Sequence, residues 1–155
     1  MPVIHHSAIC VRDVDTSLRF WRDGLGFAVL MDERFEGEWP TLLRAPSTSL
    51  RSVFLGDPAD AAAGVVELVD LGDVPDAPAG GGRATSGFLL LSLTTDLDAA
   101  LDRLEALGLG GEPRRIETHG VAMAVVIDPD GVAVELIDDA AAADLQRLTT
   151  DEETG

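Results

Sequence analysis

The chain has 155 residues, 46% of them hydrophobic and 25% charged, with a formal net charge of −17. That length suffices to bury a real core, and the acidity argues against nucleic acid and anionic membrane as partners, because phosphates would be repelled. One cysteine, Cys10, leaves no intrachain disulfide and no cysteine zinc site. The apolar runs are short and the N-terminus carries a strand pattern rather than a signal peptide, so the cytoplasm is the expected compartment.

Residues 2 to 11 (PVIHHSAICV) read as a strand, with His6, Ala8 and Cys10 on one face and His5, Ser7, Ile9 and Val11 on the other. Alternation places His5 against a helix or solvent, and Cys10 reads as a small core residue. The cap-forming cluster Asp13, Asp15, Thr16 and Ser17 opens a helix whose apolar stripe is Leu18, Trp21 and Leu25, with Gly24 and Gly26 at its end. Residues 27 to 31 form a second strand. Residues 39 to 43 suit a strand and 45 to 49 a loop, with Phe35 and Trp39 as candidate walls or lid for an aromatic ligand. Strands are expected over 52 to 55 and 64 to 71.

Residues 72 to 86 (GDVPDAPAGGGRATS) lack periodicity and read as a linker. Beyond it come a strand over 88 to 93 and a helix opened by Asp96 and Asp98, striped by Leu97, Leu101, Leu104 and Leu107 and closed by Gly108. Strands follow over 113 to 116, 121 to 127 and 132 to 137. Asp128-Pro129-Asp130-Gly131 reads as a tight turn before the last of them. Residues 139 to 155 make an acidic, alanine-rich tail.

The two halves repeat. Asp13 to Leu18 aligns with Asp96 to Leu101, and Val66-Glu67-Leu68-Val69-Asp70 aligns with Val134-Glu135-Leu136-Ile137-Asp138. Each half is strand, helix and three strands, so the expected fold is α+β: two βαβββ units (1–71 and 87–138, joined by the linker 72–86) whose curled mixed sheets bound a cup-shaped cleft. Glu67 and Glu135 interrupt otherwise apolar strands. Burying a carboxylate costs several kcal/mol, roughly, unless it is paired, so both point to a role.

With His6 seven residues before Asp13, the run SLRFWRDGLGF over 17 to 27, and two VEL strands with DPDG before the second, the chain resembles the vicinal oxygen chelate superfamily. That superfamily includes glyoxalase I, extradiol dioxygenases and bleomycin-resistance proteins. The resemblance implies a small-molecule enzyme of glyoxalase or dioxygenase type, and a homodimer, because such proteins commonly pair. It carries the family's metal positions onto His6, Glu67 and Glu135. The fourth position falls on Leu89 by gapless alignment, or on Phe88 with one extra loop residue, and neither side chain binds a metal.

One imidazole and two carboxylates can hold a divalent ion (Mn, Fe, Co, Ni or Zn) and leave positions open for substrate oxygens. Glu135 or Glu67 can instead act as a base α to a carbonyl. His119, before the strand 121 to 127, is a candidate substrate contact or replacement ligand, and Leu89 a candidate apolar contact. The Arg114-Arg115 pair is a local positive spot. The competing reading is a metal-free member of the same superfamily: a drug-sequestering protein or a cofactor-less isomerase or cyclase.

Overall fold

The computed structural model describes residues 1–60, 62–77, 84 and 86–140. Part of the expected linker (78–83 and 85) and the tail from 141 onward lie outside the described residues. The chain divides into two compact units, Met1–Pro78 and Ala79–Gly155.

In the first unit, β1 (Ser7–Cys10) leads into α1 (Val14–Leu18). Asp13 caps this helix: its carboxylate accepts from the Asp15 and Thr16 amides at 2.9 and 3.2 Å. The Thr16 amide is the largest cause holding its pKa below the usual carboxylate value. The helix then widens into π-type turns over Arg19–Gly24, where the Leu25 amide donates to Phe20 O at 3.0 Å. The widening shifts the helical phase. Phe20 is buried together with the expected Leu18, Trp21 and Leu25.

Strand β2 (Ala28–Glu36) is longer than expected and takes in Phe35. It pairs with β3 (Ser49–Gly56) through a bulge at Leu30, between the registers Val29↔Leu55 and Met31↔Phe54. Gly56 leaves room for Leu30, because a Cβ there would meet its Cδ1 at 2.8 Å. The expected strand over 39 to 43 is instead a short helix, α2 (Trp39–Leu43), with Pro40 in its first turn and Arg44 in the left-handed region at its end (φ 56°). Proline favours a helix start and cannot donate to a ladder, which decides against strand here.

With β4 (Val66–Asp70), the first sheet has the order β1-β4-β3-β2, in which β1 and β4 run parallel and the other pairs antiparallel. One face buries Ile9, Val11, Val53, Leu55, Val66 and Leu68, and α1 packs on β4. The opposite face carries Ala8, Cys10, Glu67, Val69, Ser52 and Phe54, by the registers Ala8↔Glu67 and Phe54↔Glu67. Cys10 is exposed on this face rather than part of the core.

The second unit repeats the plan. Strand β5 (Leu91–Thr95) precedes α3 (Leu97–Leu107), which Asp96 caps by accepting from the Ala99 amide and Gly108 closes at φ 67°. Leu97, Ala100 and Leu104 are buried, whereas Leu101 and Leu107 flank the stripe half-exposed. Strands β6 (Gly110–Thr118), β7 (Val121–Ile127) and β8 (Ala133–Asp138) complete a sheet of order β5-β8-β7-β6, again with its first and last strands parallel. The β7–β8 turn is held by Asp128. Its buried carboxylate accepts from the Asp130 and Val132 amides at 2.9 and 2.7 Å, and Gly131 takes φ 88°. The repeat and the glyoxalase-like α+β plan of two four-stranded mixed sheets are as the sequence implies.

Candidate functional site

In the first unit, β4 carries Glu67 at the centre of the face away from the helix. Two side chains approach it from opposite ends. His6, immediately before β1, brings Nε2 to 3.0 Å from Glu67 Oε2. Ser52 on β3 donates its hydroxyl to Glu67 Oε1 at 2.5 Å. Side-chain exposure is 34% for His6 and 15% for Glu67, so the pair is shielded yet open to a small molecule. Ser52 is buried, and its hydroxyl answers the desolvation that would otherwise penalise the carboxylate.

His5 departs from the expectation that it faces away from this site. The ladder begins at Ser7, whose amide donates to Val65 O at 2.9 Å, so strand alternation does not govern the two histidines before it. The His5 ring lies 6.2 Å from Phe54 and the His6 ring 5.4 Å from it, with the two Nδ1 atoms 2.7 Å apart. Phe54 is the register partner of Glu67, so both imidazoles gather on the carboxylate's row.

The second unit has a counterpart. Ser92 sits beside Glu135 in the parallel ladder and donates to its Oε2 at 2.7 Å. Pairing of Ala8 with Glu67 and of Ser92 with Glu135 makes Leu90 the equivalent of His6, not Leu89 or Phe88. The connection from strand to helix cap is one residue shorter in this unit, a shift that alignment through the helix cannot detect. Leu90 is half-buried, while Leu89 and Phe88 are exposed ahead of β5.

Other residues singled out by sequence lie elsewhere in their units. Phe35 pairs with Leu50, four residues along β3 from the Glu67 row, or roughly 13 Å at strand spacing. Trp39 donates its indole N–H to Phe35 O at 3.1 Å and stays at that far end. His119 takes φ 51° in the two-residue β6–β7 turn, near Thr118 Oγ1 at 3.0 Å; Val121 lies four residues along β7 from Val125, the partner of Glu135. Arg115 pairs with Asp98 at 2.6 Å, whereas Arg114, opposite Val125, shares the Glu135 face. Ser52, Ser92 and Phe54 escaped the sequence reading, which placed His5 on the opposite face. Their one legible signal is Ser92, set between Leu91 and Leu93.

Among the described residues, no group of three His, Cys, Asp or Glu side chains is placed to hold a metal ion. The donor chemistry nonetheless fits one. A separation of 3.0 Å between His6 Nε2 and Glu67 Oε2 matches two adjacent ligands at about 2.1 Å from a shared ion. Both carboxylates are held by hydroxyls, as ligating carboxylates usually are.

The chain matches the Glyoxalase/Bleomycin resistance protein/Dioxygenase superfamily over residues 3–136. It is 33% identical over 146 residues to the lactoylglutathione lyase-like protein terB of Aspergillus terreus, covering 86% of this chain and 74% of that protein. The trypanothione-dependent glyoxalase I of Leishmania major has a similar structure (TM-score 0.70, 20% identity, 99% of each chain). So does a glyoxalase family protein of Bacillus cereus (TM-score 0.68, 19% identity, 87% of this chain and 92% of that one). Identities this low speak for the fold alone. No helix among the described residues is long and apolar enough to cross a membrane.

Proposed function

The chain belongs to the Glyoxalase/Bleomycin resistance protein/Dioxygenase superfamily, and we propose that it is a glyoxalase-type enzyme that moves a proton α to a carbonyl of a small molecule. The observation that carries this reading is the His6–Glu67–Ser52 arrangement, with Glu135 at the register equivalent of Glu67 and held by Ser92 from a different neighbouring strand. His6, Glu67 and Glu135 are the proposed ligands of a divalent ion, which when bound would supply Lewis acidity to adjacent substrate oxygens. Ser52 and Ser92 each hold one oxygen of their glutamate and orient the other. Where Glu135 is free of the ion it is the proposed base: Oε2 accepts from Ser92, which leaves Oε1 to take and return the substrate proton. Leu90 gives the second unit's face an apolar contact for the substrate body. The lactoylglutathione lyase-like relative supports starting the substrate search with 2-hydroxyacyl thioesters and with thiol adducts of 2-oxoaldehydes.

One observation favours a second reading. Leu90 stands where a further imidazole would be needed, and a metal-free binding protein or isomerase would have the same carboxylates hydrogen-bonded as they are. Elemental analysis of the purified protein, with melting temperatures before and after Mn, Fe, Co, Ni and Zn, separates the two. Binding to the native state raises stability by mass action. A shift that disappears in His6→Ala and Glu135→Gln supports the metalloenzyme. No bound metal, no shift and turnover or ligand binding unaffected by chelator would establish the metal-free reading.

A further inference from the structure

We infer that His5 is the positioning residue that sets the tautomer and orientation of His6, a role that rests on the reading of His6 as a metal ligand. Two imidazole Nδ1 atoms 2.7 Å apart share one proton, so one donates and the other accepts. The direction follows from the other end of the His6 ring. Nε2 lies 3.0 Å from a carboxylate oxygen, which accepts only, so Nε2 carries the hydrogen. In neutral His6 the Nδ1 lone pair is therefore the acceptor, and His5 Nδ1–H is the donor. The rings meet nearly at right angles (85°), which aims the His5 N–H edge-on, and both pack near Phe54.

Taking a cation at Nε2 requires His6 to lose that hydrogen and hold one at Nδ1 instead. The shared proton crosses from His5 Nδ1 to His6 Nδ1, and His5 takes up at its own Nε2 a proton from solvent, equal to the one His6 Nε2 releases. The pair holds two ring protons before and two after, so the exchange balances without net charge. Ligating histidines usually rest their second nitrogen on a carboxylate, carbonyl or water. Here a neighbouring imidazole does so, and because it both donates and accepts, it holds His6 in either tautomer. The second unit has Leu89 and Leu90 at the corresponding place, so the device belongs to the first unit.

The test is metal affinity by titration of the full chain, together with long-range proton–nitrogen NMR of the imidazoles. His5→Ala is expected to weaken binding about 10- to 100-fold, whereas His5→Asn, whose amide presents donor and acceptor near the Nδ1 position, retains most of it. Metal-free protein should show His6 as the Nε2–H tautomer, changing to Nδ1–H on loading. Unchanged affinity in His5→Ala, while His6→Ala abolishes binding, would overturn this inference and leave the metal reading standing. A wild-type chain that takes none of the five metals overturns both.

Discussion

The two units share topology, helix caps and a serine-held glutamate at the same register, yet they treat that glutamate differently. In the first, Glu67 lies between His6 and a buried serine contributed by the antiparallel neighbour β3. In the second, Glu135 leans on an exposed serine of the parallel neighbour β5, and Leu90 replaces the imidazole. Equivalent positions in a duplicated fold therefore keep the carboxylate while its surroundings diverge. The first unit is arranged to retain charge. The second combines one carboxylate with an apolar surface on which Met123, Val125 and Ile137 are half-exposed.

Removing the imidazole should have the largest effect. His6→Ala is expected to eliminate the metal-dependent rise in melting temperature and to lower turnover about 100-fold or more; a retained shift would move the site away from the first unit. Installing an imidazole in the second unit sharpens the same contrast. Leu90→His should tighten metal binding on the order of tenfold, because it restores a nitrogen donor at the equivalent of His6, and an unchanged titration would show that this position lies outside the coordination sphere.

The serines should separate the units by stability. Ser52→Ala strips a half-buried carboxylate of its buried hydroxyl donor and is expected to cost about 1–3 kcal/mol, while Ser92→Ala, at an exposed hydroxyl, should cost less than about 1 kcal/mol. Equal losses in chemical denaturation would erase the distinction.

The smallest effect concerns the fork of Arg51 on Asp32, at 2.8 and 2.7 Å, whose hydrogen bonds hold the Asp32 carboxyl below its ordinary value. A depressed carboxylate contributes stability above its unfolded pKa of about 3.9, and the contribution disappears as pH falls through the lower folded value. Asp32→Asn should therefore cost under about 1 kcal/mol at pH 7 and nothing in strong acid. A pH-independent difference between the two proteins would assign the loss to packing instead.

Much of the fold was legible because its signals are local. Asp13 and Asp96 cap helices through their own neighbours' amides, and the Asp128 turn closes within five residues. The family resemblance, not alternation, brought His6 and Glu67 together, and the repeated pentad exposed the duplication. The tight helix at Trp39–Leu43 escaped because its apolar residues imitate a strand, although Pro40 was the clue. Leu90 escaped because register is set by pairing across the sheet, and one residue lost between strand and cap moves the equivalence without leaving a mark in either segment. Sequence by itself determined which residue types line each strand face and where the helices begin, since those depend on neighbours along the chain. Tertiary structure alone decided that Ser52 and His6 meet Glu67 and that Ser92 meets Glu135, because contacts across the sheet join residues that no spacing along the chain brings together, and it turned His5 to its neighbour His6 ahead of the ladder, where alternation does not apply.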